Sequence, residues 1–204
     1  MGAALSLSAA LALGTAPGLS HATDQSSERV ADAARLMNEL MSGKAPIGTP
    51  FTLINQHGKR VSLADFRGKL VLLYFGYTFC PDVCPTDLLT IAQTLKSLGK
   101  SADQVQPIFI TLDPARDTPD VLGPYVDHFS PSILGLSGPE KDIAAVAKSY
   151  RVYYKLAADH LTNPNYSVDH SAIIYLMDRN GKFIGHFTHD TPPEQVVAAI
   201  RARL

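Results

Sequence analysis

The chain has 204 residues, a length that suits one domain with or without a short appendage. A single core of that size buries roughly 70% of the unfolded surface and needs no disulfide scaffold. Hydrophobic residues make up 46% and charged residues 18%, which excludes a disordered or collagen-like chain, and 18 Lys and Arg against 19 Asp and Glu leave a net charge of −1, which sets nucleic-acid binding aside.

Residues 1–23 carry no charge, His21 counted as neutral, and Ala3 to Leu13 is an apolar run of signal-peptide length. Ser20-His21-Ala22 is a small-x-small triplet that a signal peptidase can cut after Ala22. The run is shorter than the about 20 apolar residues of a spanning helix, and the stretch from Gly2 to Leu19 is diluted with Gly, Ser and Pro. Met1-Gly2 lacks the Lys or Arg of an ordinary signal, so either the true start lies upstream or the signal is atypical. Residues 1–22 are read as a signal peptide or weak membrane anchor, a disordered Ala-rich tail being the plain alternative. The expected location is outside the cytoplasm: periplasmic, soluble or attached to the inner membrane by the N-terminus.

Residues 23–47 form the next segment, with helical spacing at Val30, Ala33, Leu36, Met37 and Leu40 and a breaker-rich end from Ala45 to Pro50. The domain is placed at 48–204. Phe51 to Asn55 and Arg60 to Leu63 flank Gln56-His57-Gly58-Lys59, which predicts a hairpin. Leu70 to Tyr77 (LVLLYFGY) is a continuous apolar run, the mark of a strand buried on both faces. A helix through Thr86 to Leu98, a buried strand at Val105 to Leu112 and a helix at Pro119 to Phe129 come next. Ile133 to Leu136 reads as a short strand and Glu140 to Tyr150 as a helix, then Tyr153 to Val168 as a long irregular loop. Ala172 to Asp178 and Phe183 to Thr188 are strands joined by Arg179-Asn180-Gly181-Lys182, and Pro192 to Leu204 closes with a helix. Strands alternating with helices give an α/β domain, and this order resembles the thioredoxin fold with an additional N-terminal β-hairpin.

The two cysteines fall in Phe79-Cys80-Pro81-Asp82-Val83-Cys84-Pro85, directly after the first buried strand and at the start of a helix. That end of a helix carries partial positive charge and stabilises thiolates. A Cys-x3-Cys pair has three uses. It can close a plain disulfide, though so short a loop stabilises a fold little. It can cycle between thiol and disulfide, for which Cys-x-x-Cys is the usual spacing. It can also bind a soft metal together with a third ligand.

Seven histidines compete for that third place. His21 leaves with the leader, His57 sits in a turn, and His128 ends a helix. His186 and His189 are near a strand end and face different ways, while His160 in the long loop stays open. His170 stands immediately before the strand Ala172 to Asp178, and in a thioredoxin-like fold that turn lies across from the cysteine loop. Asp169 beside it could orient the ring.

Four segments together resemble one family: Leu63-Ala64-Asp65-Phe66-Arg67-Gly68-Lys69, Tyr74 through Pro85, Asp113-Pro114-Ala115-Arg116-Asp117-Thr118-Pro119, and Val168-Asp169-His170-Ser171. They are similar to the Sco/SenC family, thioredoxin-fold copper proteins that help to assemble the dinuclear copper site of cytochrome c oxidase subunit II. The resemblance runs from about Gly48 to Leu204 and implies copper ligands at Cys80, Cys84 and His170. It also places Asp113 near the site, in partner contact or ligand tuning. Two thiolates and one imidazole suit Cu(I) and can take Cu(II), whereas structural zinc sites are almost always closed sets of four ligands.

The function expected is a metallochaperone that delivers one copper ion to subunit II from an unidentified upstream donor. It is not an enzyme in the turnover sense. The alternative is an exported thiol–disulfide oxidoreductase that uses Cys80 and Cys84 as a redox pair on the cysteines of the oxidase copper site. A thiol peroxidase ranks third, because it leaves His170 without a purpose.

Overall fold

The computed structural model describes residues 47–204. The leader at 1–22 and the predicted helix before the domain lie outside the described residues, as does all of the 23–47 segment except Ile47. In chain order the elements are β1 (Thr52–Asn55), β2 (Arg60–Ser62), β3 (Leu70–Gly76), α1 (Val83–Leu98), β4 (Val105–Thr111), α2 (Pro119–Phe129), β5 (Leu134–Ser137), α3 (Glu140–Ser149), β6 (Tyr154–Leu156), β7 (Val168–His170), β8 (Ile173–Met177), β9 (Phe183–Thr188) and α4 (Pro193–Arg201).

Seven strands form one sheet in the order β2-β1-β5-β4-β3-β8-β9. β3, β4 and β5 run parallel, and β8, β9 and the β1–β2 hairpin pair antiparallel around them. All seven residues of β3 are buried, as its unbroken apolar run requires of a central strand covered on both faces. Tyr74 and its neighbour Phe109 lie on the face covered by α1, α2 and α4; Phe109 meets Tyr125 of α2, and α1 packs along α4. Phe75 lies on the other face, where it meets Tyr150 at the end of α3 and Tyr175 of β8. Each aromatic or aliphatic side chain so buried contributes about 1.5–3 kcal/mol, and this two-sided layering is what holds β3 rigid. The predicted thioredoxin-like α/β arrangement with its extra N-terminal hairpin is what the chain adopts.

Two local expectations change. The ends of the long loop are strands: β6 and β7 form a separate two-stranded ladder with Tyr154 opposite His170. Three residues a side are too few to show an alternating pattern in sequence. α1 begins at Val83 rather than Thr86, which puts Cys84 inside its first turn. Pro85 costs no hydrogen bond there, because the first N–H groups of a helix have no partner within it.

Candidate metal centre

β3 ends at Gly76, and the chain turns through Tyr77 to Asp82 before α1 starts. Cys80 lies in this turn and Cys84 in the first helical turn, and both are buried and free. The N–H of Cys84 points at Cys80 Sγ at 3.5 Å. Gly76 makes room for the second sulfur. A Cβ at that position would stand 2.8 Å from Cys84 Sγ and 3.0 Å from the Phe109 ring, closer than atoms pack.

From the opposite side β7 delivers His170, whose Nε2 lies 3.2 Å from Cys84 Sγ. Its Nδ1 is 3.1 Å from the Ser171 carbonyl. A carbonyl only accepts, so Nδ1 donates its hydrogen to Ser171 and Nε2 is the nitrogen turned to the sulfurs. Tyr74 and Tyr77 contact the imidazole edge-on, with ring centroids 6.3 and 5.9 Å away, and fix its plane. The three ligand atoms all lie within 4.8 Å of one another, and no fourth His, Cys, Asp or Glu joins them among the described residues.

The two thiols are electrostatically unequal. Cys80 is pushed down, first because Cys84 hydrogen-bonds to its sulfur, with His170 and the N–H groups of Asp82 and Cys84 adding to this while burial opposes it. Cys84 is pushed up by giving its hydrogen to Cys80, by its own burial and by the charge on Cys80. Cys80 therefore ionises more readily than Cys84, and a soft cation bound by both sulfurs must displace the proton they share. Burial pushes Tyr74 well above the ordinary phenol range. Its hydroxyl stays neutral beside the site.

Asp113 does not enter this cluster. Its carboxylate accepts from the Tyr166 hydroxyl at 2.7 Å and from Arg116 Nε. Asp169 is an exposed residue of β7. Of the other histidines, His57 is exposed in the β1–β2 turn, His128 lies against Phe129 at the end of α2, and His186 stacks on Phe183. His160 Nδ1 faces the Ala157 carbonyl at 2.9 Å, and the residue is not part of the cluster.

Some side chains around the site carry roles that the sequence reading passed over. Asp87 of α1 is buried and holds His189 Nδ1 at 2.9 Å through Oδ1, tying α1 to the turn before α4. Asp117 is fully buried and accepts from the Thr78 N–H, the Thr78 hydroxyl and the Thr111 hydroxyl at 2.9, 2.6 and 2.6 Å. The available signal was two aspartates and an arginine crowded into one non-helical stretch, Asp113 to Asp117.

The SCO1/SenC family model matches residues 39–204. The SCO2-like protein of Rickettsia felis is 41% identical over 155 residues, which is 76% of each chain. Protein sco1 of Schizosaccharomyces pombe is 41% identical over 160 residues, 78% of this chain and 61% of its own. Among solved structures, Bradyrhizobium japonicum ScoI with copper bound superposes with a TM-score of 0.72 at 46% identity, covering 78% of this chain and 99% of that one. Yeast Sco1 with copper bound gives 0.72 at 37% identity, covering 78% and 88%. By sequence and by fold, the chain belongs to the SCO1/SenC family.

Proposed function

We propose that this protein is a copper metallochaperone of cytochrome c oxidase assembly, with Cys80, Cys84 and His170 as ligands for one ion delivered to the dinuclear copper site of subunit II. The observation that carries this reading is the convergence of two sulfurs and one imidazole nitrogen within 4.8 Å. Two soft thiolates favour Cu(I), and the imidazole lets the site take Cu(II) as well. Copper-bound relatives with the same fold support it.

A three-ligand set suits cargo that must leave. An incoming thiolate from the acceptor adds to the ion before Cys80, the less buried of the two sulfurs, lets go. The residue roles divide accordingly. Cys80 is the thiol more readily ionised, Cys84 the one that holds its proton more tightly, and His170 turns Nε2 to both sulfurs. Oxidation of the sulfur pair removes two of the three donors, so loading requires reducing conditions.

Residues 1–22 serve as leader or weak anchor, 23–47 as linker and 48–204 as the copper domain, working on the periplasmic side. No helix among the described residues is long and apolar enough to cross a membrane.

The second reading, a thiol–disulfide oxidoreductase acting on the same oxidase cysteines, draws on the free dithiol and on the lowered Cys80 thiol at the head of α1. One experiment separates the two. Anaerobic Cu(I) titration of the reduced domain against a competing chelator is run beside Cys80→Ser, Cys84→Ser and His170→Ala. One ion bound tightly by wild type and weakened in all three variants is the expected result. Weak binding indifferent to His170 would leave the reductase.

A further inference from the structure

The cysteines and His170 are presented by separate parts of the fold. Cys80 lies in the turn after β3, whereas His170 ends a β6–β7 ladder that shares no strand pairing with the main sheet. Only Ser171 and Ala172 separate His170 from β8, which pairs with β3, so the backbone places the end of the hairpin. The side-chain bonds that tie its loop to the cysteine turn converge on one short segment, Asp113 to Asp117. At one end, the buried Asp117 grips Thr78, two residues before Cys80, through both its N–H and its hydroxyl at 2.9 and 2.6 Å. At the other, Asp113 accepts from the Tyr166 hydroxyl at 2.7 Å. Between them Arg116 gives Nε to Asp113 and Nη1 to the Pro164 carbonyl at 3.0 Å, and its guanidinium lies 3.5 Å over the Tyr166 ring. Pro164 and Tyr166 belong to the stretch that runs directly into β7. The segment is internally braced too, since Thr111 donates to Asp117 and accepts from the Asp113 N–H.

We infer that the Asp113–Asp117 segment is a splint for the metal centre, in which Asp117 fixes the cysteine side through Thr78 and the Asp113–Arg116 pair fixes the histidine side through Tyr166 and Pro164. This rests on the copper reading of the site. None of these groups belongs to the Cys80, Cys84 and His170 cluster; Tyr166 and Thr78 are positioning residues that act through His170 and Cys80. The splint uses a carboxylate at each end because a carboxylate accepts several hydrogen bonds at once, and Arg116 in the middle because a planar fork can bind a carboxylate, a carbonyl and a ring face together.

The test is a double-mutant cycle read by Cu(I) affinity from chelator competition. Tyr166→Phe keeps the ring under Arg116 and removes only the bond to Asp113. It is expected to weaken binding about tenfold, the scale on which outer-shell partners act on metal affinity. In the His170→Ala background the same change is expected to cost nothing further, because its effect travels through His170. Thr78→Val, on the cysteine side, is expected to weaken binding in both backgrounds. Arg116→Lys, which keeps the charge but loses the fork, provides a second variant on the histidine side and should follow Tyr166→Phe. Wild-type affinity in Tyr166→Phe and Arg116→Lys, or a full loss that persists without His170, would overturn the splint. Wild-type binding indifferent to His170→Ala overturns the copper reading itself, and the splint with it.

Discussion

His170 Nε2 and Cys84 Sγ lie 3.2 Å apart although 86 residues separate them along the chain. The sulfur arrives at the head of α1 and the nitrogen at the end of β7, so the distance tests whether two remote parts of the fold are in register. Replacing His170 by Ala removes a donor without opening the core, since the ring is only half-buried. The variant is expected to fold, to keep both cysteines as free thiols when counted after unfolding, and to lose more Cu(I) affinity than the about 10- to 100-fold associated with an outer-shell partner. Chelator competition together with thiol counting checks both parts at once.

Gly76 is the position where the main chain must stay bare. A Cβ there would meet Cys84 Sγ at 2.8 Å, Phe109 at 3.0 Å and Tyr74 at 3.2 Å, and none of the three has room to retreat because all are fully buried. Gly76→Ala is expected to destabilise the domain by about 1–3 kcal/mol, the usual cost of overpacking. It should also weaken copper binding by displacing the sulfur. Denaturant unfolding of the metal-free protein reads the first effect and titration the second.

Asp117 organises the cysteine turn by accepting three hydrogen bonds. Asp117→Ala leaves the Thr78 N–H and the hydroxyls of Thr78 and Thr111 without their acceptor. Each buried donor left so costs about 1–3 kcal/mol, and the expected loss exceeds about 2 kcal/mol. An unfolding midpoint unchanged from wild type would contradict this.

The Asp87–His189 pair gives a pH dependence whose sign follows from its shifts. The hydrogen bond to Asp87 pushes the His189 pKa above its ordinary 6.5. A histidine whose pKa is raised on folding stabilises the fold fully below about pH 6.5 and loses that contribution as pH climbs through the raised value. Burial raises Asp87 in turn, so at still lower pH its carboxylate takes up a proton and the ion pair is lost from the acid side. The stability advantage of wild type over His189→Gln is therefore expected to be largest on the acid side of neutrality and to shrink towards alkaline pH. Urea unfolding of both proteins across a pH series measures it; an advantage that grew with pH would reverse the assignment.

The central strands were plain in the sequence because burial on both faces demands an unbroken apolar run, and LVLLYFG has no other use. The cysteine turn was equally plain, since two cysteines and two prolines within six residues after such a strand have few structural readings. β6 and β7 were not visible, because three residues each carry too little periodicity and their pairing across the loop is non-local. Nor was the Asp87–His189 pair, which joins positions 102 residues apart that nothing in the local pattern connects.

The alternation of strands and helices, the placing of both thiols at a helix start and the candidacy of His170 among seven histidines were all legible before folding. The first two follow from local rules, apolar period, turn chemistry and the partial charge at a helix end, whereas His170 stood out by its place in a thioredoxin-like order and by the family resemblance. The folded chain adds that Nε2 rather than Nδ1 faces the sulfurs and that Gly76 yields the space for Cys84. It also binds Asp113 to Tyr166 and Arg116, outside the cluster of Cys80, Cys84 and His170. The reason is physical. Hydrogen bonds and steric contact act over about 3 Å between groups that the chain separates by tens of residues, and folding alone brings them within that range.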